Sequence, residues 1–268
     1  MTNRSNLPKV EQLLDYPFVD KSLGTAALRT DRRGFSRLEF LGDAIMGLSV
    51  YTVAMCRGLP KRHTDRLLSN KYLAEIYRSR FAGCASNETG DVVEALVAAI
   101  YLDGGFLRAA SVTASLLLGE HGDFNFAATQ DLATKLAPRQ IFQLGAQVSK
   151  AVIADHLTTT SPNQLARWYS DTSQNLLTVK RVAKICRGHP LEDFGIPLEH
   201  VGIRRPPEPE RVRRALSEIK TEKKIKLAPA QLKDMVDGYA ALQYLKHGWL
   251  VAKNNISTLL EVSSTPRT

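Results

Sequence analysis

Four acidic residues of this chain fall in two pairs at helical spacing. Glu39 and Asp43 are four apart within an apolar run (Leu38, Leu41, Ile45, Leu48), and Asp91 and Glu94 are three apart within another (Val92, Leu96, Ala99, Ile100). Such spacings stack side chains on one face of a helix. Like charges so stacked weaken a helix by roughly a few tenths of a kcal/mol, and carboxylates beside a core stripe carry a desolvation cost unless something compensates. A hard cation would compensate: four oxygen donors suit Mg²⁺, or Mn²⁺, and no His or Cys joins them to suggest zinc. Spacing alone leaves other readings open. Asp43 could pair with Arg37 or face water, and Asp91, after Thr89-Gly90, could be an ordinary first-turn acid favoured by the helix dipole.

The elements that must carry these acids read as helices almost throughout. Val10, Leu13, Leu14 and Phe18 begin one stripe, interrupted by Pro17, and Leu67, Leu68, Tyr72, Leu73 and Ile76 form another. Gly104-Gly105 is expected to stop the helix of Asp91 and Glu94. A chain of 268 residues with 44% hydrophobic and 24% charged residues can bury a sizeable core. Its net charge of +9 makes an anionic partner, nucleic acid first, a natural expectation. Three widely spaced cysteines (Cys56, Cys84, Cys186) form neither a disulfide framework nor a zinc pattern, so a reducing, intracellular setting is expected. No uninterrupted apolar run reaches the roughly 18 residues of a membrane span, and the polar N-terminus has no signal-like apolar core.

The second half echoes the first. Leu41-Gly42-Asp43 aligns with Leu144-Gly145-Ala146 at an offset of 103, and Ser69 to Leu73 with Ser173 to Leu177 at 104. Asp91-Val92-Val93-Glu94 aligns with Asp234-Met235-Val236-Asp237 at 143, followed by Tyr101-Leu102 with Tyr244-Leu245 and Gly105-Phe106 with Gly248-Trp249. Three blocks in one order point to a duplication with an insertion in the second copy. That insertion, near 187–228, holds a basic stretch (Arg204, Arg205, Arg211, Arg213, Arg214, Lys220, Lys223, Lys224). It reads either as a nucleic-acid arm, since clustered cations release counterions from phosphate, or as a solvated helix of mixed charge. Lys61, Arg62 and Arg66 could touch phosphate, or form a solvated turn.

Ser36-Arg37-Leu38-Glu39-Phe40-Leu41-Gly42-Asp43-Ala44 resembles the signature helix of the ribonuclease III family. Val10 to Phe18, Leu68 to Ile76, and Asp91 to Leu96 continuing to Gly105 resemble its N-terminal approach, middle helix and second acidic helix, in family order. The resemblance implies that Glu39, Asp43, Asp91 and Glu94 hold catalytic Mg²⁺ or Mn²⁺. It also implies hydrolysis of double-stranded or structured RNA to 5′-phosphate and 3′-hydroxyl ends, with little sequence preference. There are departures: Ser36 stands where the family has a further Glu, the stretches between Gly58 and Leu67 and between Ile76 and Asp91 are short, and no C-terminal double-stranded-RNA-binding domain is evident.

Family enzymes work as dimers of this domain. The expected architecture is therefore all-α: two ribonuclease III-like helical domains, 9–120 with the intact acidic site and 121–262 with the basic insertion, packed as an internal pseudo-dimer along helices 37–56 and 140–157. The second copy is degenerate, with Phe142 and Ala146 where Glu39 and Asp43 stand, while Asp234 and Asp237 remain. One working site should nick one strand. The alternatives are a non-catalytic RNA-binding relative, such as a mitochondrial large-subunit ribosomal protein within a ribonucleoprotein particle, or a partner subunit for another ribonuclease III-like chain; no membrane is implied. The intact acids favour the enzyme, because a scaffold has no need of mutually repelling carboxylates.

Overall fold

A computed structural model describes residues 6–30, 33–85, 89–119, 124–160 and 229–259. Every regular element among them is helical. In chain order these are α1 (Leu7–Leu14), α2 (Lys21–Ala27), α3 (Arg33–Cys56), α4 (Lys61–Leu67), α5 (Asn70–Ile76), a π-helical turn (Tyr77–Phe81), α6 (Asp91–Leu118), α7 (Ala127–Gln130), α8 (Leu132–Lys135), α9 (Pro138–Thr160), α10 (Pro229–His247) and α11 (Trp249–Leu259). The chain divides into two compact units, Met1–Thr129 with Ile153–Leu165, and Gln130–Val152 with Ala166–Thr268.

The first unit is organised around α3 and α6, its most extensive helix pair. Leu38, Leu41, Ala44, Ile45, Met46 and Leu48 of α3, and Val92 to Ile100 of α6 on all faces, are essentially inaccessible to water apart from partial exposure at Leu38 and Glu94. Full burial of a Leu or Ile contributes about 1.5–3 kcal/mol, so this pair dominates the unit. Both helices have the length and hydropathy of a membrane span, contrary to the count of uninterrupted runs: Ser49 and Thr52 break a run without lowering a window average. Their apolar windows are 78% and 56% buried inside the protein, as in a core helix.

Local chemistry sets the shorter elements. Asn6 caps α1 by accepting from the Lys9 amide, and Asp15, in the left-handed region, ends it. Asp20 caps α2 through the Ser22 amide, and Ser69 caps α5 through the Tyr72 amide. The expected single helix through 67–76 is thus two short helices parted at Leu68-Ser69, because the Ser69 cap starts a new one.

α6 does not end at Gly104-Gly105. Gly105 takes φ 81° and ψ 178°, breaking the helix at one residue, and the chain resumes helically to Leu118. A glycine with positive φ redirects a helix as readily as it stops one; the apolar Phe106, Ala109, Ala110 and Leu117 beyond it are buried and sustain the continuation. Beside the break, Asp103 fastens the segment between α1 and α2. Its carboxylate accepts from the Tyr16 hydroxyl (2.8 Å) and the amides of Val19 (2.9 Å) and Asp20 (2.7 Å). Burial alone would raise the Asp103 carboxyl, but those three donors outweigh it and hold it below the ordinary range.

In the second unit, Phe142, Leu144, Val148, Ala151 and Val152 of α9, Met235, Val236, Ala240, Ala241, Tyr244 and Leu245 of α10, and Trp249, Ala252 and Ile256 of α11 are buried. Gly248, between α10 and α11, has φ 85°, close to the value at Gly105 and 143 residues beyond it.

Candidate metal centre

Glu39 on α3 and Asp91 and Glu94 in the first turn of α6 each bring a carboxylate oxygen within 4.8 Å of the other two. Glu39 and Asp91 are half-buried and Glu94 is buried. The cluster follows from how closely the helices cross. A Cβ built on Gly42 would lie 1.8 Å from the Glu94 carbonyl oxygen, so only a residue without a side chain lets α3 rest on this part of α6. Glu39, three residues before Gly42, shares its face, which turns the carboxylate toward the start of α6. Asp91 and Glu94 sit at a helix N-terminus, where the exposed amides favour negative charge and offset part of the repulsion.

Electrostatics record the crowding. Burial pushes the Glu39 carboxyl above its ordinary range, and the charges of Asp91 and then Asp43 push it further. Asp43 therefore acts on the cluster by its field without belonging to it: of the four acids read together in the sequence, three converge within 4.8 Å. Four residues along α3 is a rise of about 6 Å, which carries Asp43 past the Gly42 contact.

The basic residues fare differently. Lys61, Arg62 and Arg66 are exposed on α4. Lys61 contacts Asp65 at 2.5 Å, and Asp65 also accepts from the Tyr51 hydroxyl at 3.0 Å. Arg204, Arg205, Arg211, Arg213, Arg214, Lys220, Lys223 and Lys224 lie outside the described residues. Arg37, a possible partner of Asp43 on spacing, donates to the Thr158 carbonyl in the last turn of α9, and the Tyr101 hydroxyl donates to the buried Asp155 at 2.7 Å.

The second unit repeats the crossing with other side chains. A Cβ on Gly145 of α9 would lie 1.5 Å from the Asp237 carbonyl oxygen of α10. Gly145 and Asp237 stand 103 and 143 residues beyond Gly42 and Glu94, the offsets of the sequence repeat. Asp234 and Asp237 are buried, and the Lys233 ammonium lies 2.5 Å from an Asp237 oxygen. In the sequence Gly42 and Gly145 mark the repeat without revealing their place at the crossing, and Lys233 does not stand out among the acids. Their signals were a glycine inside a strong helical pattern, which costs about 1 kcal/mol against alanine and so needs a reason, and a Lys-Asp pair at i, i+4.

No profile of a known family matches the chain. Individual relatives do. The ribonuclease 3 of Nitrobacter winogradskyi is 30% identical over 143 residues, covering 41% of this chain and 53% of that protein. That of Rhodopseudomonas palustris is 33% identical over 135 residues (39% and 49%), and that of Allorhizobium ampelinum 32% over 155 (48% and 64%). The chain thus spans about half the length of the curated relatives it matches. The aligned lengths exceed the share of this chain that they cover, so the alignments open gaps in it.

Proposed function

From the premise that this chain is related to the ribonuclease III family, we propose that it is a divalent-metal-dependent endoribonuclease. It cuts double-stranded or structured RNA and leaves 5′-phosphate and 3′-hydroxyl ends. The observation that carries the reading is the convergence of Glu39, Asp91 and Glu94 on a glycine-mediated helix crossing. The donor set is carboxylate oxygen alone, which suits Mg²⁺ or Mn²⁺. In octahedral coordination with bonds of about 2.0–2.1 Å, neighbouring oxygens lie about 2.9 Å apart and opposed ones about 4.2 Å, so oxygens within 4.8 Å of one another share one ion after closing by at most about 2 Å. A bound divalent ion supplies Lewis acidity at the phosphate and hydroxide near neutral pH. The chain's own residues hold and tune. The Glu39 carboxyl, pushed up by burial and by neighbouring acids, would be brought back toward its ordinary range by a bound cation. Glu94, buried on a helix that cannot shift without moving α3, fixes the geometry. Asp43 adds negative potential from one turn away.

The recurrence of the glycine crossing at the repeat offsets, and of a positive-φ glycine at Gly105 and Gly248, supports a second, degenerate copy of the domain and hence an internal pseudo-dimer with one working centre. The basic stretch from Arg204 to Lys224 and the exposed Arg62 and Arg66 are proposed RNA contacts.

The test is cleavage of a long RNA duplex in Mg²⁺, labelled on each strand in turn, by wild type and Glu94→Gln. The expected result is nicking of one strand and a loss of about 10²-fold or more in the variant, since even outer partners of a metal site are worth about 10–100-fold. Duplex binding without cleavage by the wild type would leave the non-catalytic RNA-binding reading in its stead.

A further inference from the structure

We infer that in the second unit the ammonium of Lys233 stands where the first unit calls for a cation, so that this centre is held together by the chain's own charge and takes no metal. The inference rests on the proposed reading of the Glu39–Asp91–Glu94 cluster as a cation site.

The two crossings share a backbone plan and differ in their side chains. Gly42 meets Glu94 and Gly145 meets Asp237 in the same way. At the other repeat positions Phe142 replaces Glu39 and is fully buried, and Ala146 replaces Asp43. Two acids persist, and they are deeper than their counterparts: Asp234 is 3% exposed and Asp237 is 1% exposed. A carboxylate so buried costs several kcal/mol unless a positive charge and hydrogen bonds compensate. Lys233 Nζ, 2.5 Å from Asp237 Oδ2 and itself only 16% exposed, is such a charge. The corresponding position of the first unit is Gly90, which has none.

Helix stability does not account for the lysine. A cation four residues N-terminal to its acid is the weaker order for an i, i+4 pair, and a cation near a helix N-terminus opposes the dipole. What the arrangement does satisfy is the acid on the crossing. As the acids at these positions fall from four to two, a positive charge enters the chain itself. Without that lysine, Asp234 and Asp237 would lose a positive charge that a hard divalent ion, the class that all-oxygen donors select, could supply in its place.

The full chain tests this by thermal unfolding in EDTA and in Mn²⁺, for wild type, Lys233→Met, Asp237→Asn and the double variant. In EDTA, Lys233→Met is expected to lower Tm by about 10 °C, and the double variant to recover more than half of that. In Mn²⁺, Lys233→Met is expected to gain several degrees beyond the wild-type gain, and the double variant to gain no more than wild type. Lys233→Arg, which keeps the charge, should stay within about 2 °C of wild type. If Lys233→Met does not fold, folding of both Lys233→Arg and the double variant supports the inference equally. A small loss in Lys233→Met, additive losses in the double variant, or an Mn²⁺ gain equal to that of wild type would overturn it. The two readings separate cleanly: no Mn²⁺ gain in wild type counts against the first centre, and no extra gain in Lys233→Met counts against the second.

Discussion

Around Gly42 the residues one turn away and across the crossing are Glu39, Asp91 and Glu94; around Gly145 they are Phe142, Asp234 and Asp237, with Lys233 against the last. In both regions a helix lacking a side chain at one position lies on a backbone carbonyl of another. In the first, the space beside that contact holds carboxylates whose mutual repulsion and burial raise Glu39. In the second, it holds a buried aromatic and an internal ion pair. The contrast separates what builds the crossing from what uses it. The glycine and its flanking Leu41 or Leu144, each fully buried, belong to the scaffold. The acids are an addition to that scaffold: three converge in the first region, and two, with a lysine against one of them, stand in the second.

The comparison can be broken first at the 39/142 position. Phe142→Ala should cost about 3–5 kcal/mol in urea unfolding, as for a fully buried aromatic. Glu39→Ala should cost less than about 1 kcal/mol in EDTA, because the lost packing is offset by relief of repulsion. Equal losses at the two positions would show that Glu39 is a packing residue. The shared scaffold is tested next. Gly42→Ala and Gly145→Ala should each cost about 3 kcal/mol, the upper part of the overpacking range, since the added methyl meets backbone rather than a flexible side chain. Gly42→Ala should also abolish the Mn²⁺ gain in Tm, and Gly145→Ala should keep it.

The smallest effect is a pH dependence of opposite sign to ordinary acid denaturation. Glu39 has a raised carboxyl, so between the unfolded and folded pKa values the native state binds more protons than the unfolded chain, and stability falls as pH rises through that window. Titrating the unfolding free energy in EDTA should show this decline, worth about 1 kcal/mol or less after allowance for partial exposure, and Glu39→Gln should flatten it. A decline that persists in Glu39→Gln would assign the proton elsewhere.

Much of this was legible in the sequence, for identifiable reasons. Glu39, Asp91 and Glu94 are acids at helical spacing inside apolar stripes, and a 3.6-residue period determines which side chains share a face whatever the tertiary fold. The repeat was legible because Leu144-Gly145 and Asp234 to Asp237 kept both identity and order. Other features depend on distances between elements, which a period does not encode. That Asp43 falls outside the cluster is set by where α3 meets α6. That Gly105 bends a helix instead of ending it is set by the buried Phe106 and Ala109 beyond. That Lys233 answers Asp237 was visible as an i, i+4 pair, but its depth was not, and depth is what separates a surface pair from a compensated buried charge.

The missing methyl at Gly42 also bears on discrimination among ions. With its backbone lodged against α3, Glu94 adjusts the ring of oxygens through its side chain alone, and Glu39 is carried by the helix it meets. On the proposed reading, the crossing then acts as a gauge: a small ion that accepts near-ideal octahedral bonds of about 2.0–2.1 Å is favoured over Ca²⁺, whose longer bonds and larger ligand number reward an elastic cage. Selectivity between two cations of equal charge would thus originate not in any donor atom but in a glycine that supplies none.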